Sequence, residues 1–258
     1  MNSERSFLTG QEVFNELTLS QIVAKDYRAA TIFEKHNLDF CCNGNKALGA
    51  ACSEKGLDAK EILFEIQNAD NVAADFSLRF NNWELDFLVD YIINNHHRYV
   101  RDSIPVISSY TAKVAAVHGA NHPETIEVAK IFSKVYKELK QHLMKEEEIL
   151  FPYIKHLANV KKNISKFEPP YFGSIANPIK MMEAEHVSAG DGLFEIRNLT
   201  ENYSLPQDAC NTFTACYKKL KEFEEDLHKH VYLENSILFP KSIQLEENIL
   251  HKNLAAGK

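Results

Sequence analysis

An eleven-residue pattern that occurs twice constrains this chain more than any other feature. His142-Leu-Met-Lys-Glu146-Glu-Glu-Ile149-Leu150-Phe151-Pro152 returns in outline as His230-Val-Tyr-Leu-Glu234-Asn-Ser-Ile237-Leu238-Phe239-Pro240, both copies reading H-x3-E-x2-I-L-F-P. A histidine and a glutamate four residues apart on a helix share a face, with Cβ atoms roughly 5–6 Å apart, so each copy can offer one nitrogen and one oxygen to a common ion. Steps of three and four through His142 pass Val128, Phe132, Val135, Leu139, Glu146, Ile149 and Tyr153. The same steps through His230 pass Phe213, Cys216, Leu220, Phe223, Leu227, Glu234 and Ile237. Each seam is apolar except for its histidine-glutamate pair, which places both pairs in a helical core.

Composition narrows the rest. At 258 residues the chain is long enough for one large or two modest domains. A net charge of −7 and a pI near 5.9 leave no basic surplus for phosphates, which argues against nucleic acid as a partner. No run of 18 apolar residues is present, and the Met-Asn-Ser-Glu-Arg-Ser start lacks a signal-peptide profile, so no membrane association and a cytoplasmic location are expected. In that compartment Cys41, Cys42, Cys52, Cys210 and Cys216 read as free thiols or ligands. Nine glycines and eight prolines, with recurrent helical and no alternating patterns, predict an all-α protein.

Along the chain, helical patterns at Ser20–His36 and Asp58–Gln67 flank a turn-rich stretch, Asn37 to Asn45, and define a small helical module over residues 1–70. Adjacent Cys41 and Cys42 within that stretch point either to loop thiol or metal chemistry or to incidental buried thiols. Residues 71–82 read as a linker, and 83–258 as the main domain. A first long helix is expected from Trp83 to about Val117, bent at Pro105. A second opens at Pro123-Glu124 and ends near Ala158. After a polar crossing loop, Asn159–Gly173, Asn177 is expected to cap a third helix, and Ser204-Leu-Pro-Gln207 to open a fourth as a capping box. The third carries the seam Ile175, Ile179, Met182, His186, Ala189, Leu193, Ile196.

On the first helix, downstream steps from His97 meet Val100, Ile104 and Ile107, whereas upstream Val89 and Ile92 suit His96 equally well; the choice stays open. His97 to His142 spans 45 residues and His186 to His230 spans 44, so the domain reads as a duplicated helical hairpin closed into a four-helix bundle. Four inward histidines and two inward glutamates exceed what a core holds without partners, since unpaired buried polar groups cost about 1–3 kcal/mol and carboxylates more. One zinc site uses three or four ligands. Two ions, each taking two imidazoles and bridged by the glutamates, use all six; iron, manganese and zinc all accept such ligands. Glu147, Glu148, Glu183 and Glu185 read as a solvated face, with Glu183 and Glu185 near enough to serve as outer partners of the ligands.

These motifs resemble those of the hemerythrin-like di-iron proteins, and the chain is similar over nearly its whole length to the Ric (repair of iron centres) family. The resemblance is carried by H-H-R-Y around His97, the two H-x3-E-x2-I-L-F-P copies, M-E-A-E-H ending at His186, and Ala29 to Asn45 with its Cys-Cys pair. It implies a hemerythrin-like bundle behind an ScdA-type N-terminal domain, two non-haem iron ions, and His97, His142, Glu146, His186, His230 and Glu234 as ligands. It further implies a role in repairing iron-sulfur proteins damaged by nitric oxide or oxidative stress. The mechanism expected is supply of labile iron from the bundle, with Cys41 and Cys42 assisting transfer or thiol chemistry at the target. Nitric oxide or peroxide reduction at the di-iron centre, or diatomic gas sensing, would be alternatives. The sequence leaves assembly open, a homodimer included.

Overall fold

A computed structural model of the chain describes residues 16–26, 28–40, 44–69 and 80–256. Among these residues it is helical, with one isolated bridge between Thr18 and Ala47. The chain divides into two compact units, one of Met1–Trp83 with Tyr232–Ile237 and one of Glu84–Val231 with Leu238–Lys258. The expected linker falls mostly on residues outside those described, as do Cys41 and Cys42.

The N-terminal unit holds α1 (Leu19–Lys25), α2 (Arg28–Lys35), α3 (Leu48–Glu54) and α4 (Ala59–Asn68). The single helix expected over Ser20–His36 is in fact two. Asp26 ends α1, and its carboxylate accepts the Arg28 backbone N–H at 3.0 Å, so the same residue that stops one helix starts the next. A capping box opens α1, with the Thr18 hydroxyl accepting from Gln21 N and the Gln21 side chain accepting from Thr18 N. The residues following the Cys-Cys pair fold back on this start: Ser20 N donates to Gly44 O (2.9 Å) and Leu19 N to Lys46 O (3.0 Å). Gly44 is needed there, because a Cβ would overlap the Phe40 carbonyl and approach Ser20. Leu19, Ile22, Phe33, Leu48 and Ile62 fill the core, each at most 2 % exposed.

Four long helices follow as a bundle: α5 (residues 85–118), α6 (124–161), α7 (Ala176–Leu199) and α8 (211–256). The seams expected on α6, α7 and α8 upstream of the ligands are buried throughout, each fully buried Leu, Ile or Phe contributing about 1.5–3 kcal/mol. Phe223 of α8 meets Phe132 of α6 edge-on at 5.6 Å and stacks with Tyr99 of α5 at 6.4 Å. Pro105 lies inside α5.

Two helix starts differ from expectation. Asn177 is not the cap of α7: Ile175 occupies that position, and Asn177 Nδ2 instead donates to Phe172 O at 2.9 Å. A buried carboxylate from α8 organises this end, Glu246 accepting from Tyr153 Oη (2.8 Å), Ser174 Oγ (2.7 Å) and Ile175 N (3.1 Å). Nor does Ser204-Leu-Pro-Gln207 open α8, which begins at Asn211. Glu201, Asn202 and Tyr203 all take positive φ in the preceding turn, and Ser204 Oγ donates back to Glu201 O at 2.6 Å.

Three of the four bundle helices contain one widened π turn: Ile93–His97 in α5, Glu146–Leu150 in α6 and Glu234–Leu238 in α8. Single π turns inside α-helices add a residue to one turn and occur often at functional sites. In the two repeats the cause is visible in the sequence. Pro152 and Pro240 have no N–H to give to the carbonyl four residues back, and their rings crowd it, so the ladder is interrupted where the π turn sits. The Ile93–His97 turn has no such proline behind it. Beyond Glu146 the extra residue moves the expected seam by one position: Ile149 is only half-buried, while Leu150 and Ile154 are fully buried.

Candidate metal centre

All six side chains singled out by the seams reach one region of the bundle interior, and each is at most 1 % exposed. His97 comes from α5, His142 and Glu146 from α6, His186 from α7, His230 and Glu234 from α8. His97 Nε2 lies 3.1 Å from His230 Nε2, and His142 Nε2 lies 3.0 Å from His186 Nε2. Glu146 Oε2 stands between these pairs, 3.4 Å from His97 Nε2 and 3.3 Å from His142 Nε2. The donor atoms form two groups, His97-Glu146-His230-Glu234 and His142-Glu146-His186-Glu234, and within each group every atom is within 4.8 Å of the others. Both glutamates belong to both groups.

Outer partners set the protonation of the rings. The Nδ1 of His97 lies 2.7 Å from Glu147 Oε1, and that of His142 lies 3.0 Å from Glu185 Oε2. An ionised carboxylate only accepts, so the ring proton sits on Nδ1 and the Nε2 lone pair faces inward, as a metal ligand requires. Each outer acid also accepts from a surface cation: Arg101 Nη1 donates to Glu147 Oε1 at 2.8 Å, and Lys145 Nζ donates to Glu185 Oε1. The hydrogen bond from His97 holds the Glu147 carboxyl below the usual carboxylate range, with Arg101 adding to it against the opposing effect of burial. His142 and then Lys145 do the same for Glu185. Burial pushes the Glu183 carboxyl upward.

These findings correct the reading of Glu147 as part of a solvated face: it is the anchor of His97. No periodicity signals that role, because the contact runs across to another helix. The open choice on α5 also receives a geometric answer. His97 stands among the six, while His96, 6 % exposed, faces away to Asp226 Oδ1 (3.0 Å) and stacks on His230 with centroids 5.7 Å apart.

Donor chemistry fits a pair of iron ions. Two sets of two imidazoles and two shared carboxylates, sealed from water, give each ion nitrogen and hard oxygen ligands, and the two carboxylates offset part of the ions' charge. Among the cysteines, Cys52 and Cys216 are buried, and burial pushes the Cys216 thiol up to about 12. Cys210, which the sequence did not single out, is exposed just before α8; the Phe213 backbone N–H and the His118 ring, 3.3 Å away, draw its thiol down to about 7. No helix among the described residues is long and apolar enough to cross a membrane.

Two family models match the chain: the ScdA_N domain of unknown function over residues 15–70, and the hemerythrin HHE cation-binding domain over residues 88–242. A probable iron-sulfur cluster repair protein of Haemophilus influenzae is 36% identical over 233 residues, covering 88% of this chain and 97% of that one. The iron-sulfur cluster repair protein YtfE of an Enterobacter species is 34% identical over 231 residues, 89% of this chain and 98% of the relative. YtfE of Shigella boydii is 32% identical over the same length, with the same coverage. With a buried histidine-glutamate centre inside the matched HHE domain and relatives aligned nearly end to end, the chain belongs to the hemerythrin-like family of iron-sulfur cluster repair proteins.

Proposed function

We propose that this protein repairs iron-sulfur clusters damaged by nitric oxide or oxidative stress, and that it does so in the cytoplasm by supplying labile iron to damaged iron-sulfur proteins. His97, His142, Glu146, His186, His230 and Glu234 are the proposed ligands of two irons, with Glu146 and Glu234 shared between them. One observation carries this reading: two four-residue donor groups overlap in both glutamates inside a chain whose relatives are named repair proteins.

What the chain itself contributes is positioning. Glu147 and Glu185 fix the Nδ1–H tautomer of two rings, and the apolar seams keep bulk water from the shared carboxylates. Iron bound there would supply both the ions to be returned to a broken cluster and the coordination positions that nitric oxide or oxygen species could take. Cys41 and Cys42 are proposed to assist at the target through their thiols.

The test uses anaerobically purified protein. It should hold two irons per chain, and adding it without other iron to a nitric-oxide-inactivated [4Fe-4S] enzyme should restore activity in proportion to the iron it loses. Restoration without iron loss, or sustained consumption of nitric oxide with an electron donor, would overturn the donor reading in favour of a reductase.

A further inference from the structure

Beside the centre, α5 and α6 enclose an open groove of about 820 Å³. Its floor is apolar, with Val100, Ile104 and Leu143, and its rim carries Arg101, Lys137 and Lys140. That concentration of cations stands out on a chain with a net charge of −7. Lys137 and Lys140 make no ion pair among the described residues, and of the two acids on the rim, Glu147 and Glu148, the first is already shared between Arg101 and His97.

We propose that this groove binds a small polycarboxylate, and that its carboxylate, by taking Arg101 from Glu147, leaves Glu147 Oε1 to His97 alone, strengthens that hydrogen bond and thereby slows exchange of the ion held by His97 and His230. The geometry forms an unbroken relay. Arg101 Nη1 and His97 Nδ1 converge on a single oxygen, Glu147 Oε1, at 2.8 and 2.7 Å. A guanidinium prefers a two-pronged carboxylate to one shared oxygen, so an incoming carboxylate competes on favourable terms. Lys137 and Lys140 provide charge for further carboxylates, and the apolar floor accommodates a carbon skeleton that an inorganic anion lacks. The volume lies within the usual range of small-molecule sites, roughly 300–1,000 Å³. The second relay, His142-Glu185-Lys145, is not part of this groove, so the direct effect falls on the His97–His230 ion.

This inference deepens the iron-donor reading and rests on it. The test follows iron leaving the fully loaded, full-length protein to a fixed concentration of a ferrous chelator, with tricarballylate as the probe. Wild-type protein should lose its two irons in two phases of equal amplitude, and tricarballylate should slow one of them about tenfold, at the low end of what altering a ligand's outer partner does. Arg101→Ala should show that phase already slow and indifferent to tricarballylate; Arg101→Lys, which keeps a cation, should restore part of the faster rate. Lys137→Ala with Lys140→Ala should raise the tricarballylate concentration needed at least tenfold, and calorimetry on the metal-free protein should show the same weakening of binding. Acceleration of either iron, equal slowing of both, an equal response to inorganic phosphate, or Ala and Lys variants that behave alike would each overturn the latch. Wild-type protein holding fewer than two irons would overturn the donor centre itself, and the latch with it.

Discussion

The two H-x3-E-x2-I-L-F-P copies supply the same two ligands to the centre and differ in the residues between and directly after them. Both supply one imidazole and one shared carboxylate, and both pass through a π turn that begins at the glutamate and ends before Phe-Pro. Around the first copy the helix meets water: Met144 is 51% exposed, and Glu147 reaches outward to Arg101 while anchoring His97. Around the second, Val231, Tyr232 and Leu233 are all buried, and the positions after Glu234 are Asn235 and Ser236 rather than acids. The repeated residues thus determine where ions are held. The unrepeated ones determine which side of the centre is connected to the surface.

Replacing the shared carboxylates tests the equivalence most severely. Glu146→Ala and Glu234→Ala should each lower iron from two per chain to one or none, because each removes a ligand from both donor groups; iron analysis that finds two in either variant breaks the symmetry of the copies. A milder cut separates the ions. His97→Ala and His186→Ala each leave one group complete, so each variant should retain about one iron, and different spectra for the two half-loaded proteins would sharpen the comparison. Milder again, Glu147→Gln and Glu185→Gln should weaken iron binding on the order of 10–100-fold, measured by chelator competition.

The smallest effect lies on α8, the helix that carries the second copy. Cys210 should react with iodoacetamide with a midpoint near pH 7, and Cys216, pushed up to about 12, should stay inert in the folded protein. The Cys210 value is depressed from its ordinary 9.0, so the thiolate's contribution to stability is complete above that ordinary value and is lost as pH falls through about 7. Because the thiol is fully exposed, the change should register as reactivity rather than as a marked shift in melting temperature.

The six interior residues were legible in the sequence because each interrupts an apolar seam, and a polar residue in such a seam must be satisfied by something. Helix type and order were legible for the same reason. The π turns were not. From Ile92 to His97 is a step of five, which no pattern of threes and fours contains, and this is why Val89 and Ile92 favoured His96 as much as His97. The shift from Ile149 to Leu150 has the same origin, although Pro152 marks the place. Ser204 to Gln207 satisfied a capping pattern that the left-handed turn at Glu201–Tyr203 overrode, and Asn177 lost its capping role to a backbone turn anchored by Glu246, 71 residues beyond Ile175 in the chain. Glu147 was hidden because its partners, His97 and Arg101, lie on another helix.

The widened turn in α5 also makes that helix unusually forgiving at one point. Removing a residue from an ordinary α-helix turns everything beyond it by about 100°, which would swing half of a buried stripe into water. Between Ile92 and His97 the opposite holds: deleting Asn94 or Asn95, both exposed, shortens a step of five to a step of four, and Leu88, Ile92, Val100 and Ile104 stay on one face. A chain shortened there should melt close to the full-length protein, while a single deletion at Ser109 should not. The widened turn gives this helix a place where its length can change by one residue without cost to the core.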